Sequence, residues 1–176
     1  MTIDNIVTGY LEENCYVLTI NNCCLVIDLG DDYPIIKEKI GNKTVLAILL
    51  THSHFDHIGA VEDIRKEKKN PIYSFENLEE KEFTIDDFKF LTIYTPGHTN
   101  DSVCFYFKDE KIMFTGDFLF KESIGRWDLE TGSFEKLKNS ISKIKKYDDD
   151  ITIYPGHGDI STIGYERDNN RYLFTK

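Results

Sequence analysis

The sequence contains no run approaching the ~18 consecutive apolar residues of a membrane-spanning helix, and no basic segment leads into its short early apolar stretches. Neither a membrane anchor nor a secretory leader is therefore expected, and the reading is of a cytoplasmic protein. Cysteine is scarce: the four residues Cys15, Cys23, Cys24 and Cys104 include no C-x-x-C pair. That excludes a thiolate zinc site and a disulfide framework. Cys15 and Cys104 lie in apolar stretches, where a cysteine is expected as a small buried hydrophobe, and a reducing compartment suits this. Positive charge is also short, with 21 Lys and Arg against 31 Asp and Glu and a formal net charge of −10. A nucleic-acid binder usually presents a basic face, so this balance argues against one. No G-x-S-x-G elbow occurs, and no linker or low-complexity segment divides the chain. What is present is 176 residues, 40% hydrophobic, which excludes disorder and suits one domain over residues 1–176.

Strands are expected at Cys15–Ile20, Cys24–Leu29, Thr44–Leu50, Pro71–Phe75, Phe88–Tyr94, Val103–Phe107, Lys111–Phe114 and, last, Ile151–Tyr154. The continuous aliphatic run Thr44–Leu50 predicts a strand buried on both faces. Helical spacing joins Ile35, Ile36 and Ile40, with Gly41 as the cap. A second helix is predicted from about His57 to Lys68. A third, Phe134–Lys145, would carry Phe134, Leu137, Ile141 and Ile144 on one side. The sum is an α/β or α+β domain whose strands are covered by helices.

Four strands end alike. VLAILLTHSHFDH, FLTIYTPGHT, KIMFTGD and ITIYPGHGD each run from apolar residues straight into Thr, Pro or Gly and then His or Asp. All five histidines, His52, His54, His57, His98 and His157, lie in these segments. Any one alone reads most simply as a surface or satisfied core residue, but the set does not. In an extended segment His52 and His54 point the same way and can share an ion. Asp56 and His57 diverge from them and suit a second ion close by. With His98, Asp117 and His157 there are seven candidate ligands. One tetrahedral ion with an open position needs only three protein ligands, so seven suit two ions with one carboxylate shared. Imidazole and carboxylate without thiolate suit Zn first, with Fe or Mn as further choices.

The pattern H-x-H-x-D-H followed by a distant His, Asp and His resembles the metallo-β-lactamase fold. Within it, TPGHT, GDFLF, SIGRWD and PGHGDISTIGYERDNN resemble the glyoxalase II-like hydrolases, in a short single-domain branch. The resemblance implies an αβ/βα four-layer sandwich, two mixed sheets face to face with helices outside. It places His52, His54 and His98 in one metal site, Asp56, His57 and His157 in the other, and Asp117 as the bridging carboxylate. Asp28, in LVIDLG, matches an aspartate that orients a ligand histidine. Two positions depart from the pattern: Ala60 and Asp101 stand where glycine is common. Full-length glyoxalase II enzymes add a helical domain supplying much of the glutathione surface, whereas this sequence ends 19 residues after His157.

The expected chemistry is metal-assisted hydrolysis of a small-molecule thioester or ester, by a hydroxide bridging two ions, with Asp56 and Asp117 as catalytic carboxylates. A thiol leaves without a dedicated acid, since its pKa is about 8.5. Candidate substrate residues are Arg126, Trp127, Phe118 and Tyr165, with Phe120 as a further aromatic. Alternatives are a mononuclear-iron persulfide dioxygenase, a hydrolase of another ester or lactone, a nuclease of the same fold, and a non-catalytic metal-binding module. An iron–flavin oxygen reductase is set aside because those commonly carry Glu where His54 stands.

Overall fold

A computed structural model describes residues 1–67 and 69–173. A first sheet has five strands in the order β1 (Thr2–Thr8), β2 (Glu13–Ile20), β3 (Cys23–Ile27), β4 (Thr44–Leu49) and β5 (Ile72–Tyr73). Its first three strands are antiparallel, while β3, β4 and β5 run parallel. The second sheet comprises β6 (Glu82–Ile85), β7 (Phe88–Tyr94), β8 (Val103–Phe107) and β9 (Ile112–Gly116), then β12 (Thr152–Pro155) and β13 (Ser161–Thr162), which pair beyond β9. A hairpin, β10 (Leu119–Phe120) and β11 (Ser123–Ile124), stands apart. The helices are α1 (Tyr33–Ile40), α2 (Phe55–Ile58), α3 (Val61–Glu67), α4 (Phe134–Ile144) and α5 (Ile163–Asn169).

Side chains alternate across a strand, and here that alternation sorts residues into three cores. Tyr16, Leu18, Leu25 and Ile27 face Phe88, Phe90, Phe105 and Phe114 between the sheets. Their sequence neighbours Cys15, Val17, Cys24 and Val26 face outward against Ile36 and Ile40 of α1 and Ile64 of α3. On the far side, Cys104, Met113 and Ile153 meet Leu137, Ile141 and Ile144 of α4 and Ile163 of α5. Two sheets with helices outside each is the expected αβ/βα sandwich. Cys15 and Cys104 are free and fully buried, and burial pushes the Cys104 thiol up to about 12.

Several expected elements change on inspection. The predicted helix from His57 is two helices, α2 and α3, and Lys68 lies outside the described residues. At the break, a Cβ on Gly59 would stand 2.7 Å from the Gly30 carbonyl, so the Leu29–Gly30 loop packs directly on this backbone. Ile151–Tyr154 corresponds to β12, which is not last, because β13 and α5 follow. The edge strands β1 and β6 have few buried side chains, so alternation is weak in TIDNIVT and EFTI. Ile35 and Phe134, assigned to buried helix faces, are about half exposed. Phe134 packs sideways on Trp127, with ring centroids 4.8 Å apart.

Helix α5 closes the fold through polar groups. Glu166 and Asn170 are fully buried. The Glu166 carboxyl accepts from the backbone N–H of Glu122, the Ser161 hydroxyl and the Asn170 amide. Asn170 also donates to the carbonyl of Ser123 at 2.9 Å. The tail therefore grips the turn between β10 and β11. Replacing Glu166 by Ala leaves buried donors without an acceptor, at about 1–3 kcal/mol each. A loss of about 3–5 kcal/mol is expected, and thermal denaturation of the variant should show a midpoint roughly 6–20 °C lower.

Candidate metal centre

β9 and β12 run parallel, and β7 shares their direction because both β7 and β9 are antiparallel to β8. Their three C-terminal ends thus open on one edge of the second sheet, and deliver His98, Asp117 and His157 there. The loop after β4 brings His52 and His54 to the same edge, and α2 adds Asp56 and His57. Two glycines permit the approach. A Cβ on Gly116 would meet Thr51 Oγ1 at 2.3 Å, and one on Gly156 would meet Asp117 Oδ1 at 2.4 Å. Among the described residues these seven side chains fall into overlapping groups: His52, His54 and His98; His52, His57 and Asp117; Asp56, His57 and His157.

His57, His98 and His157 are each aimed by the far nitrogen of the ring. His57 Nδ1 donates to Asp28 Oδ2 at 2.8 Å, and Asp28 also accepts from the Thr51 N–H and hydroxyl. His98 Nδ1 donates to the Arg126 carbonyl at 2.7 Å, and His157 Nδ1 to the Leu11 carbonyl at 3.0 Å. These acceptors have no proton to offer, so each takes the Nδ1 proton and the Nε2 atoms of His57, His98 and His157 are left to point inward. His54 Nδ1 then lies 3.2 Å from His52 Nε2 and 2.9 Å from His98 Nε2, three ring nitrogens around one point. On the other side His157 Nε2 is 3.3 Å from Asp56 Oδ2, and His57 Nε2 is 4.0 Å from the same oxygen. Asp117 spans both groups, with Oδ1 at 3.2 Å from His57 Nε2 and Oδ2 at 3.5 Å from His98 Nε2.

The electrostatics fit cations in both places. Burial lowers the pKa of His52 and His54 below the usual imidazole range, which leaves nitrogen lone pairs available. Burial opposes ionisation of Asp117, but the neighbouring His57 outweighs it and holds that carboxyl well below its ordinary value. Burial likewise opposes charge on His57, and the carboxyl groups of Asp28 and Asp117 override it, so its pKa is raised. His57 Nε2 and Asp117 Oδ1 are buried atoms without a hydrogen-bond partner. A buried polar atom left unpaired is costly, and a shared cation satisfies both.

A family model described as the metallo-beta-lactamase superfamily matches residues 8–84 and 75–157. The chain belongs to the metallo-beta-lactamase superfamily. Among proteins similar to it, "Probable metallo-hydrolase YqgX" of Bacillus subtilis is 33% identical, over 94% of this chain and 94% of that protein. "Hydroxyacylglutathione hydrolase GloC" of Haemophilus influenzae is 29% identical over the full length of both. The crystal structure of the BLEG-1 B3 metallo-beta-lactamase superposes with a TM-score of 0.93 at 33% identity, over 99% of this chain and all of that one. Divalent metals belong to this fold, and the His and Asp groups above are where this chain has donors for them.

The expected substrate residues divide. Arg126 and Phe120 line a cavity of about 750 Å³ over the cluster, together with His54, His98, Asp117 and His157. Phe118, Trp127 and Tyr165 do not reach it. Phe118 is enclosed in the core under α4, and Trp127 packs against Phe134 and Tyr172. Tyr165 extends along α5 to hydrogen-bond Glu122. Phe118 directly follows Asp117 in the turn after β9, and its side chain enters the core instead of the cavity.

Sequence reasoning missed the N-terminal clamp on His157. Asn14 donates from its amide to the carbonyls of Pro155 and Gly158, and the Tyr16 hydroxyl donates to Pro155 at 2.7 Å. Glu13 is buried beside them, accepts from Thr8, and sits with Oε1 3.9 Å from His57 Nδ1. Burial pushes its carboxyl up to about 9. The segment GluGluAsnCysTyr carries no periodic signal for this, since the partners lie more than a hundred residues away.

Asp28→Asn should weaken divalent-metal binding by about 10–100-fold, because His57 loses its fixed orientation. Competition against a chromogenic chelator measures this, with circular dichroism confirming the fold. An undiminished affinity would reduce Asp28 to a loop fastener.

Proposed function

We propose that the protein is a metal-dependent hydrolase of small-molecule thioesters, related in activity to hydroxyacylglutathione hydrolases. The observation that carries this reading is Asp117 spanning two groups of inward-aimed donors beneath an open cavity. The name of the full-length relative from Haemophilus influenzae supports the thioester class. His52, His54 and His98 would hold one cation, Asp56, His57 and His157 the other, and Asp117 would touch both. Zinc suits this nitrogen and oxygen set, as do iron and manganese. When bound, two such ions supply the Lewis acidity that makes water nucleophilic near neutral pH.

The remaining work falls to side chains. Asp56 and Asp117, both kept below the ordinary carboxylate range, stay ionised, so they can ligate a cation and accept a hydrogen bond that orients the attacking water. Water oxygen bonds to the acyl carbon and the C–S bond breaks with its electron pair going to sulfur; one of the water's protons passes to the thiolate and the other is released to solvent. The products are a carboxylate and a free thiol. Sulfur is a good enough leaving group, at a pKa of about 8.5, to depart without a dedicated acid. Among the cavity-lining residues no Lys, Tyr or Cys stands ready to protonate an amide nitrogen, which favours thioesters over peptides. Two complete ligand groups also weigh against the dioxygenase alternative, which needs one ion held by two His and one Asp.

Protein loaded separately with Zn, Fe or Mn should release thiol from S-lactoylglutathione or simpler thioesters, read with a thiol reagent. Asp117→Ala should lose metal and lower turnover by about 10³-fold or more, with His54→Ala and His157→Ala close behind. Faster opening of a chromogenic β-lactam, or oxygen uptake with a glutathione persulfide in place of thiol release, would replace the thioesterase reading.

A further inference from the structure

The rim of the cavity differs in character from its floor. Leu11, Phe55, Phe120 and Leu129 line it above the ligand cluster. Phe55 is 61% exposed and Leu11 41% exposed, both large apolar side chains left facing solvent. They are not scattered. Phe55 directly precedes Asp56, the Leu11 carbonyl braces His157, and the Phe120 ring lies edge-on to His157 with centroids 6.1 Å apart. Surface hydrophobics gathered around a polar, donor-lined floor mark a ligand site, and about 750 Å³ is the size of a small-molecule pocket.

Charge at the rim points the same way. Among the described lining residues Arg126 is the one Lys or Arg, with Glu130 beside it in the same wall. Both Nε and Nη2 of Arg126 are engaged with the two oxygens of Asp128, each at 2.9 Å. A guanidinium fork recognises a carboxylate through just such a bidentate contact, and here Asp128, in a largely exposed pair, competes for that face from within the chain. A glutathione group, with two carboxylates against one ammonium and so a net negative charge, would meet Glu130 and an arginine already shared with Asp128.

Resting on the hydrolase reading above, we infer that the cavity rim recognises an uncharged apolar acyl chain, so that the favoured substrates are acyl thioesters of neutral thiols rather than glutathione conjugates. The chain lies along Leu11, Phe55, Phe120 and Leu129, and the thioester carbonyl reaches the floor between His54 and Asp117. The reaction is the one already balanced, water adding to the acyl carbon as the C–S bond breaks.

The test uses the metal-loaded protein and N-acetylcysteamine thioesters from acetyl to octanoyl, each beside its glutathione counterpart. kcat/KM should rise about two- to fourfold per added methylene up to about six carbons. The neutral thioester should exceed its glutathione counterpart at equal chain length. Leu129→Ala, distant in sequence from every ligand, should flatten the chain-length gain by about fivefold at hexanoyl, mostly through KM. Asp128→Ala, by freeing Arg126, should selectively raise kcat/KM for the glutathione series. Calorimetry with a non-hydrolysable hexyl thioether ketone gives a second readout that needs no turnover. A flat chain-length profile together with preference for glutathione thioesters would overturn the inference and leave the hydrolase reading intact. Chain-length-dependent binding without hydrolysis of any thioester would keep the apolar rim and sink the hydrolase reading instead.

Discussion

The centre of this molecule gathers more nitrogen and oxygen donor atoms at close range than hydrogen bonds within the chain satisfy. Nitrogen atoms of His52, His54 and His98 meet at 2.9 and 3.2 Å, and an orphaned oxygen of Asp117 meets an orphaned nitrogen of His57. A folded chain tolerates such crowding only if something positive resolves it, or if the surrounding structure holds the groups in place. The surroundings do hold them. Asp28, the Arg126 carbonyl and the Leu11 carbonyl each fix the far side of a ring, so His57, His98 and His157 are held from turning to a partner elsewhere.

The scaffold serves that constraint. Strand ends supply ligands because a strand locked between two cores cannot shift its last residue, whereas the loop just beyond it has room for chemistry. The hairpin β10–β11 links two parts of the centre: it begins after Asp117 and ends before Arg126, whose carbonyl aims His98. Glu166 and Asn170 hold that hairpin from behind, with no contact to the ligands themselves. Position at the centre is thus maintained by hydrogen bonds one and two layers away.

How much of this could be read from the residues depended on where their partners lie. The gathering of the histidines was legible because each follows an apolar strand within a few residues, and the spacing His52-x-His54-x-Asp56-His57 is itself geometric. The inner strands β7 and β8 were legible to the residue, since Phe88–Tyr94 and Val103–Phe107 are almost wholly apolar or alternate cleanly. Edge strands β1 and β6 were not, because only part of each is buried. The clamp of Asn14 and Tyr16 on the His157 loop, and the grip of Glu166 on Glu122, join segments far apart in sequence, so no local pattern announces them. Phe118 and Trp127 misled for the opposite reason: nearness in sequence to Asp117 and Arg126 said nothing of which side of the backbone they occupy.

Donors in the centre come from both halves of the sandwich, His52 to His57 from the first and His98, Asp117 and His157 from the second. Ions held there would act as rivets through the two sheets, closing a chain segment from His52 to His157 that is costly to close without them. The supply of metal would then set how long the protein survives as well as how fast it works. A cell short of the ion would carry a looser population, open more often to proteases and turned over sooner.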